Sequence, residues 1–589
     1  MTNELILLPM PQRLQRLEGS HRLQPEREAI VHMDPAQVPR PEGYRLTIGA
    51  DGIHIVAHDA AGAFYAAMTM RQIARQNVGA GVLPCLCIED WPDFSHRGVL
   101  LDISRDKVLT METLYALVDL LSEWKINQFQ LYTEHTFAYR HHREVWENAS
   151  PMTGEEVMAL DAYCRQRFME LVPNQNSFGH LRRWLKYPRY RHLAETPAGF
   201  QSPWGDDPFS LCPLEPGSLE LLAELYDELL PHFSSRQFNV GCDETFDLGQ
   251  GRSRAACEER GVGRVYLEFL LKIHQLVQRH GRTMQFWGDI IVHYPDLISE
   301  LPKDVIALEW GYEADHPFAK DGEKFAQAGV PYYICPGTSS WNAIAGRTAN
   351  ALGNLWNAAE SGQALRRAQD KAHGAIGYLI TDWGDNGHWQ HLPVSFLGYA
   401  YGAAVSWAAQ ASRDLDLPRA LALHAFQDAI GVMGRLAYDL GNAYREAGVL
   451  VPNASLLALI LLHPDQPVTE SDWPGLTVEG LERTLECVDR VMAPLAQARM
   501  ARPDAELIAD EFRNAAALLR HACRLGIARL RTESGKIVSI PVETRRILAN
   551  DLEDIAADYR RLWLIRNRPG GLADSVGQME RLLGMYRVE

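Results

Sequence analysis

Past the Trp91-Pro92 turn, short apolar runs alternate with longer amphipathic segments, a rhythm that restricts the chain to parallel βα units. Eight runs read as strands: Gly98–Ser104, Gln128–Thr133, Phe168–Pro173, Phe238–Cys242, Met284–Gly288, Val305–Trp310, Tyr332–Cys335 and Ile376–Trp383. Between them, apolar residues recur at helical spacing, as in Leu114, Leu117, Val118 and Leu121, or Leu222, Leu225, Tyr226 and Leu229. Eight strand–helix units are the number that closes a (β/α)8 barrel. The sequence therefore predicts an α/β protein with a TIM barrel over residues 91–413.

The flanks follow other patterns. Within residues 1–90, Tyr44–Ile48 and Gly52–Val56 alternate as two strands about the Ala50-Asp51-Gly52 turn. A helical run, Ala60–Arg75, follows with an apolar face through Phe64, Met68 and Ile73, so this part reads as a small α+β domain. Strand signals vanish in residues 414–589. There Leu481, Leu485, Val488 and Met492 mark one long helix and Leu507, Phe512, Leu518 and Leu519 another, with a break at His463-Pro464-Asp465-Gln466-Pro467. This is a C-terminal helical domain.

With 46% hydrophobic and 23% charged residues, the chain can bury a core large enough for a full barrel. Its formal net charge of -17 repels phosphates, which argues against nucleic acid and anionic membranes as partners. A neutral sugar needs no such field. The basic clusters Arg182-Arg183 and Arg189–Arg191 read as solvated faces. The nine cysteines are odd in number and scattered, with only Cys85 and Cys87 close, which fits neither a disulfide framework nor a zinc motif. Met1 to Pro9 lack the basic and long apolar regions of a secretion signal, and no run approaches the length of a membrane span. A reducing cytoplasm is the expected location.

In such a barrel the chemistry sits at the C-terminal strand ends. The fourth run ends in Asp243-Glu244, the fifth in Trp287, the sixth in Glu309-Trp310 and the eighth in Asp382-Trp383-Gly384-Asp385; Glu134-His135 and Asn174 to His180 follow the second and third. Acids and indoles gathered at one rim suit a sugar, whose apolar ring faces stack on aromatics while its hydroxyls bond carboxylates. Two carboxylates acting as acid and nucleophile need separation across the scissile bond. Adjacent acids fit better a reaction whose nucleophile is the substrate's own acetamido group, although Asp-Glu pairs also cap helices. His141-His142-Arg143-Glu144 reads as a solvated loop rather than a metal site, and Arg566 to Gly571 as a helix stop, with a place near the barrel mouth or at a subunit contact as the alternative.

Phe94-Ser95-His96-Arg97-Gly98-Val99-Leu100-Leu101-Asp102-Ile103-Ser104-Arg105 resembles the opening barrel motif of glycoside hydrolase family 20, the β-N-acetylhexosaminidases. Val240-Gly241-Cys242-Asp243-Glu244 looks like that family's catalytic signature, and Tyr44 to Arg75 is similar to its N-terminal accessory domain. The resemblance covers residues 40–410 and implies retaining, substrate-assisted hydrolysis without metal or organic cofactor. It implies Glu244 as general acid and base, Asp243 as the group that holds the acetamido nitrogen, and Trp287, Trp310 and Trp383 as the walls of the sugar pocket. It further implies Asp385 for distal hydroxyls, His180 as support for the acid, Glu134 in one substrate-binding role, and Arg97 for the non-reducing end, with Arg105 as fallback. The pattern departs after strand two, where Thr133-Glu134 stands for tandem acids, and after strand seven, where Tyr333 or Trp341 is left to contact the acetamido oxygen. The expected reaction is release of terminal β-linked N-acetylglucosamine or N-acetylgalactosamine from a small glycan. A non-catalytic sugar-binding protein and a two-carboxylate glycosidase are the alternatives, and a homodimer is left open.

Overall fold

The computed structural model describes residues 5–22, 29–77, 79, 81–203, 205–368 and 375–588, with side chains 365–368 not described. Five N-terminal strands, β1 (Arg13–Arg22), β2 (Ile30–Met33), β3 (Tyr44–Ile48), β4 (Ile53–Ala57) and β5 (Val82–Asp90), form one sheet in the order β1-β5-β3-β4-β2. The β3–β4 pair is the antiparallel pair read from the sequence. Helix Ala60–Asn77 covers one face and buries Tyr65, Met68 and Ile73. The other three strands escape sequence reasoning. β1 is nearly all exposed and charged, β2 is four exposed edge residues, and β5 carries Pro84.

Eight parallel strands follow: β6 (His96–Asp102), β7 (Gln128–Tyr132), β8 (Glu170–Val172), β9 (Gln237–Asn239), β10 (Thr283–Trp287), β11 (Ile306–Trp310), β12 (Tyr332–Cys335) and β13 (Ala375–Asp382). Their order, β8-β7-β6-β13-β12-β11-β10-β9, is that of a TIM barrel. Among the described residues one bridge closes the ring: Asn239 N donates to Pro173 O at 3.0 Å and Gln175 N to Asn239 O at 3.0 Å. Helices wrap the outside because each buries a stripe. Met111–Glu123, whose N-cap Thr110 accepts from Thr113 N, buries Leu114, Leu117, Val118 and Leu121; Pro216–Leu229 buries Leu222, Leu225, Tyr226 and Leu229.

The last barrel helix, Leu392–Ser412, is buried along nearly its whole length and joins the three parts of the molecule. Its Trp407 lies in the core of the N-terminal sheet. Beyond it the chain is helical, with Val478–Met492, Ala505–Leu530, Val542–Arg566 and Leu572–Tyr586 as the long elements. Among the described residues no helix is long and apolar enough to cross a membrane. The Arg566 to Gly571 segment ends one helix and also docks on the barrel rim. Arg568 donates to Leu109 O, Pro151 O and the Glu156 carboxylate, and any Cβ on Gly571 would meet Asp106 O at 2.0 Å.

Candidate active site

β9 stops at Asn239, short of the Cys242 end that alternation predicts, because Gly241 (φ 68°) and Cys242 (φ 71°) turn left-handed. Asp243 and Glu244 therefore project from a turn, and the turn rather than strand alternation sets their directions. Glu244 itself has φ 48°, as do His180 (φ 56°) and Asp385 (φ 41°) in left-handed conformations. Such backbone costs of order 1–3 kcal/mol per residue and persists where surrounding structure enforces it. Two glycines supply the close approaches. A Cβ on Gly179 would lie 2.3 Å from Asp243 O, and one on Gly241 2.5 Å from Asn176 Oδ1.

The two acids converge on one imidazole. His180 Nε2 lies 3.3 Å from Asp243 Oδ2 and 3.2 Å from Glu244 Oε2. Asn176 Nδ2 donates to Asp243 Oδ1 at 3.1 Å, and Glu244 N donates to Asp289 Oδ2 at 3.0 Å. On the ring's other edge, Arg105 Nη2 lies 3.2 Å from Nδ1, with Glu134 3.8 Å from the same nitrogen. Arg105 only donates, so in the neutral ring Nδ1 accepts and the one proton sits on Nε2, facing the acids; the doubly protonated ring carries N–H at both nitrogens and gives up the Arg105 bond. Burial opposes a second proton and so does Arg105, yet the Asp243 and Glu244 carboxylates raise His180 to about 10. Burial likewise acts to raise Asp243, but His180 and Asn176 outweigh it and hold the carboxyl below its usual range. Asp289 is the reverse. Burial and then Asp243 push it up to about 7.

Trp287, Trp310 and Trp383 gather at the same mouth. Trp383 lies 5.9 Å from Trp287 and 4.8 Å from Tyr132 between ring centroids, and its Nε1 donates to Tyr312 Oη at 2.8 Å. Tyr312 stacks on Trp310 at 5.0 Å. Both residues left open for the acetamido oxygen are fully buried and already engaged, whereas Tyr312 is partly exposed. Tyr333 is buried at the strand starts, donating to Gln237 Oε1 and stacked on His96, while Trp341 Nε1 donates to Asn453. Tyr312 was missed, though it sits two residues past Trp310, where alternation directs both to one face. The same alternation turns Glu309 outward, where it pairs with His316 Nε2 at 2.8 Å.

Asp385 stands at the rim and accepts from Asn342 Nδ2 at 3.1 Å; burial raises its carboxyl to about 6 against the pull of Arg105. Glu134 accepts from Tyr132 Oη at 3.0 Å and pairs with Arg105 at 3.3 Å. Arg105 also pairs with Asp102 at 3.4 Å and lies over the Tyr132 and Trp383 rings. The expectation for Arg97 is corrected. It begins β6, at the opposite end of the barrel, with no exposed surface. Its guanidinium bonds Glu42 at 2.8 Å, Phe94 O at 2.7 Å and Lys125 O at 2.9 Å, and faces Trp407. A strand seven residues long holds its two ends too far apart for one side chain to serve both, so Arg105 is the arginine of this mouth.

Residues 94–388 match the model for the glycosyl hydrolase family 20 catalytic domain, and residues 11–91 match that family's domain 2. A β-hexosaminidase of Porphyromonas gingivalis is 24% identical over 301 residues, covering 46% of this chain and 38% of that protein. A lacto-N-biosidase of Bifidobacterium bifidum is 24% identical over 368 residues, covering 59% of this chain and 31% of that protein. The chain thus spans about a third of the length of these curated relatives. The structure of a Flavobacterium johnsoniae chitobiase superposes with a TM-score of 0.59 at 15% identity, covering 96% of this chain and 100% of that one, the C-terminal helices included. On its sequence, its barrel and its accessory sheet, the chain belongs to glycosyl hydrolase family 20.

Proposed function

We propose that the chain is an exo-acting β-N-acetylhexosaminidase that removes terminal β-linked N-acetylglucosamine or N-acetylgalactosamine with retention, using the substrate's acetamido oxygen as nucleophile. The observation that carries this is the convergence of Asp243 and Glu244 on His180 Nε2, at 3.3 and 3.2 Å, beneath the Trp287–Trp383 wall. Asp243, kept anionic by His180 and anchored by Asn176, is a fixed acceptor for the acetamido N–H. It also stabilises the positive charge that develops on the oxazolinium ring. Glu244 is the more exposed acid, which suits a group that protonates the departing oxygen and then takes a proton from water. The nine cysteines are unpaired, which supports a reducing, cytoplasmic location.

The test is release of p-nitrophenol from the β-N-acetylglucosaminide and β-N-acetylgalactosaminide. Glu244→Gln and Asp243→Asn should each lower kcat/KM by about 10²–10⁴-fold, the usual reach of acid–base groups. A thiazoline mimic of the oxazolinium should inhibit tightly, as transition-state-like ligands do. Turnover that survives both substitutions, or a folded protein inert to both glycosides, would remove the proposal.

A further inference from the structure

We infer that the flank of the barrel carries a divalent transition-metal site, suited to zinc, in which His141 and His142 of the loop after β7 meet Glu224 and Glu228 of the helix Pro216–Leu229. The fold splits the histidine pair that residue order leaves to solvent. His141 is exposed, whereas His142 is 1% exposed, at the start of helix Arg143–Trp146 with a side chain that caps nothing. Its Nδ1 lies 2.7 Å from Tyr190 Oη, and that hydroxyl also meets the Glu144 carboxylate. A carboxylate only accepts, so the hydroxyl donates to Glu144 and takes the N–H of His142 Nδ1. Nε2 is left with a bare lone pair, buried and without a hydrogen bond, 3.5 Å from Glu224 Oε1. Two electron-rich atoms at that distance repel unless a cation lies between them. A proton serves poorly, because burial, with Arg189 nearby, lowers His142 to about 4.

The other donors converge on the same point. Glu224 and Glu228 stand one turn apart, so both carboxylates leave one face of the helix. Glu228 Oε2 accepts from Arg140 N at 2.7 Å, while its Oε1 is buried without a hydrogen bond. One ligand atom from each of His141, Glu224 and Glu228 lies within 4.8 Å of the other two. Among the described residues neither glutamate pairs with a lysine or arginine; Arg189 turns instead to His141 O at 2.6 Å and to Glu144 at 3.8 Å. Zinc bonds of ~2.0–2.2 Å at tetrahedral angles set neighbouring ligand atoms ~3.3–3.6 Å apart. The His142–Glu224 pair already stands at 3.5 Å, and the remaining side chains need to draw in by about an ångström. Two imidazoles with two carboxylates suit zinc, whereas calcium and magnesium take oxygen shells. A second such group, Glu309, His316 and Asp321, is already closed by the His316–Glu309 bond and by Lys324 on Asp321 at 2.7 Å.

Four protein ligands make a structural site. Trp184 packs edge-on against His142 at 5.2 Å between ring centroids and donates Nε1 to Glu134 O at 2.6 Å, so the ion braces the loop that presents Glu134 to Arg105. None of the four ligands lines the cavity of about 510 Å³ that runs at the barrel mouth from Arg105 and Asp385 to the helix Leu572–Tyr586, and the metal takes no part in the sugar chemistry there.

The test takes the full chain, stripped with EDTA and dialysed, and adds ZnCl2 in a calorimeter and in a thermal melt. One equivalent should bind with a Kd of about 10 µM or tighter and raise the melting temperature by a few degrees, while MgCl2 at the same concentration does neither. Glu224→Gln combined with Glu228→Gln should weaken zinc by about 100-fold, with the metal-free variant melting near the metal-free parent. His141→Ala, at an exposed ring, should weaken it by about ten-fold. A zinc Kd above about 10 µM overturns the site. So does full zinc affinity in the glutamate variant or in His141→Ala, which places the ion on other side chains.

Discussion

One strand, β6, carries two buried arginines at opposite ends of the barrel, and their surroundings give them opposite roles. Arg97, at the strand start, spends its donors on Glu42 and on the carbonyls of Phe94, Ser95 and Lys125. Beside it Lys125 pairs with Asp90 at 2.7 Å, and Trp407 covers both cations. That cluster joins the accessory sheet to the barrel. Arg105, just past the strand end, also has acidic partners in Asp102 and Glu134, but it lines an open volume and touches the imidazole that serves the acid pair. A buried charge works as a joint where its bonds run to protein groups on two domains, and as a binding group where a space is left for something else.

Substitution separates the two. Arg97→Met removes the cation that pairs with Glu42 and the donor to the carbonyls of Phe94 and Lys125, and unfolding free energy should fall by about 3–5 kcal/mol, with kcat/KM per folded molecule nearly unchanged. Urea titration alongside activity measures both; lost activity in a stable protein would erase the distinction. Arg105→Lys keeps the charge but loses the planar fork, and should cost about 10²-fold in kcat/KM with a melting shift of only a few degrees. A smaller difference is expected from His180. Its pKa stands at about 10 in the folded protein against 6.5 ordinarily, so the folded state binds the extra proton throughout that window. The stability it contributes is full below pH 6.5 and is lost as pH rises toward 10; in His180→Gln the stability–pH curve should be flatter across that interval. The smallest effect concerns the rim. Arg568→Ala removes the partly exposed bonds to Glu156 and Pro151 O and should lower stability by about 1–2 kcal/mol, less than the Arg97 effect, read by thermal melting.

Much of this was legible in residue order. Eight strands announce themselves because a parallel strand buried on both faces reads as an unbroken apolar run, as in Tyr332–Cys335. Asp243-Glu244 stands out as charge at the end of such a run. What residue order hides is direction and distance. Arg97 and Arg105 lie in one motif, and only the strand's polarity tells which of them reaches the mouth. Asn176, Asp289 and Tyr312 join the site through separate loops, each held by a contact more than forty residues away in sequence. β1 is invisible for a different reason. An exposed edge strand carries no burial pattern for alternation to reveal.

The docking of Arg568 on the barrel has a consequence for how the molecule is made. Its guanidinium reaches Leu109 O across 459 residues of chain, and Arg183 meets Asp574 across 391. The loop that bears Arg105 emerges early in translation, whereas the helix Leu572–Tyr586, which walls the neighbouring cavity, emerges more than 450 residues later. Contacts of such long range form only after large loops close, which slows assembly and favours partly folded intermediates in a chain of this size. A ribosome-bound barrel released from the exit tunnel therefore carries its acid pair before it carries the far wall, and the pocket takes its final shape only once that helix has followed.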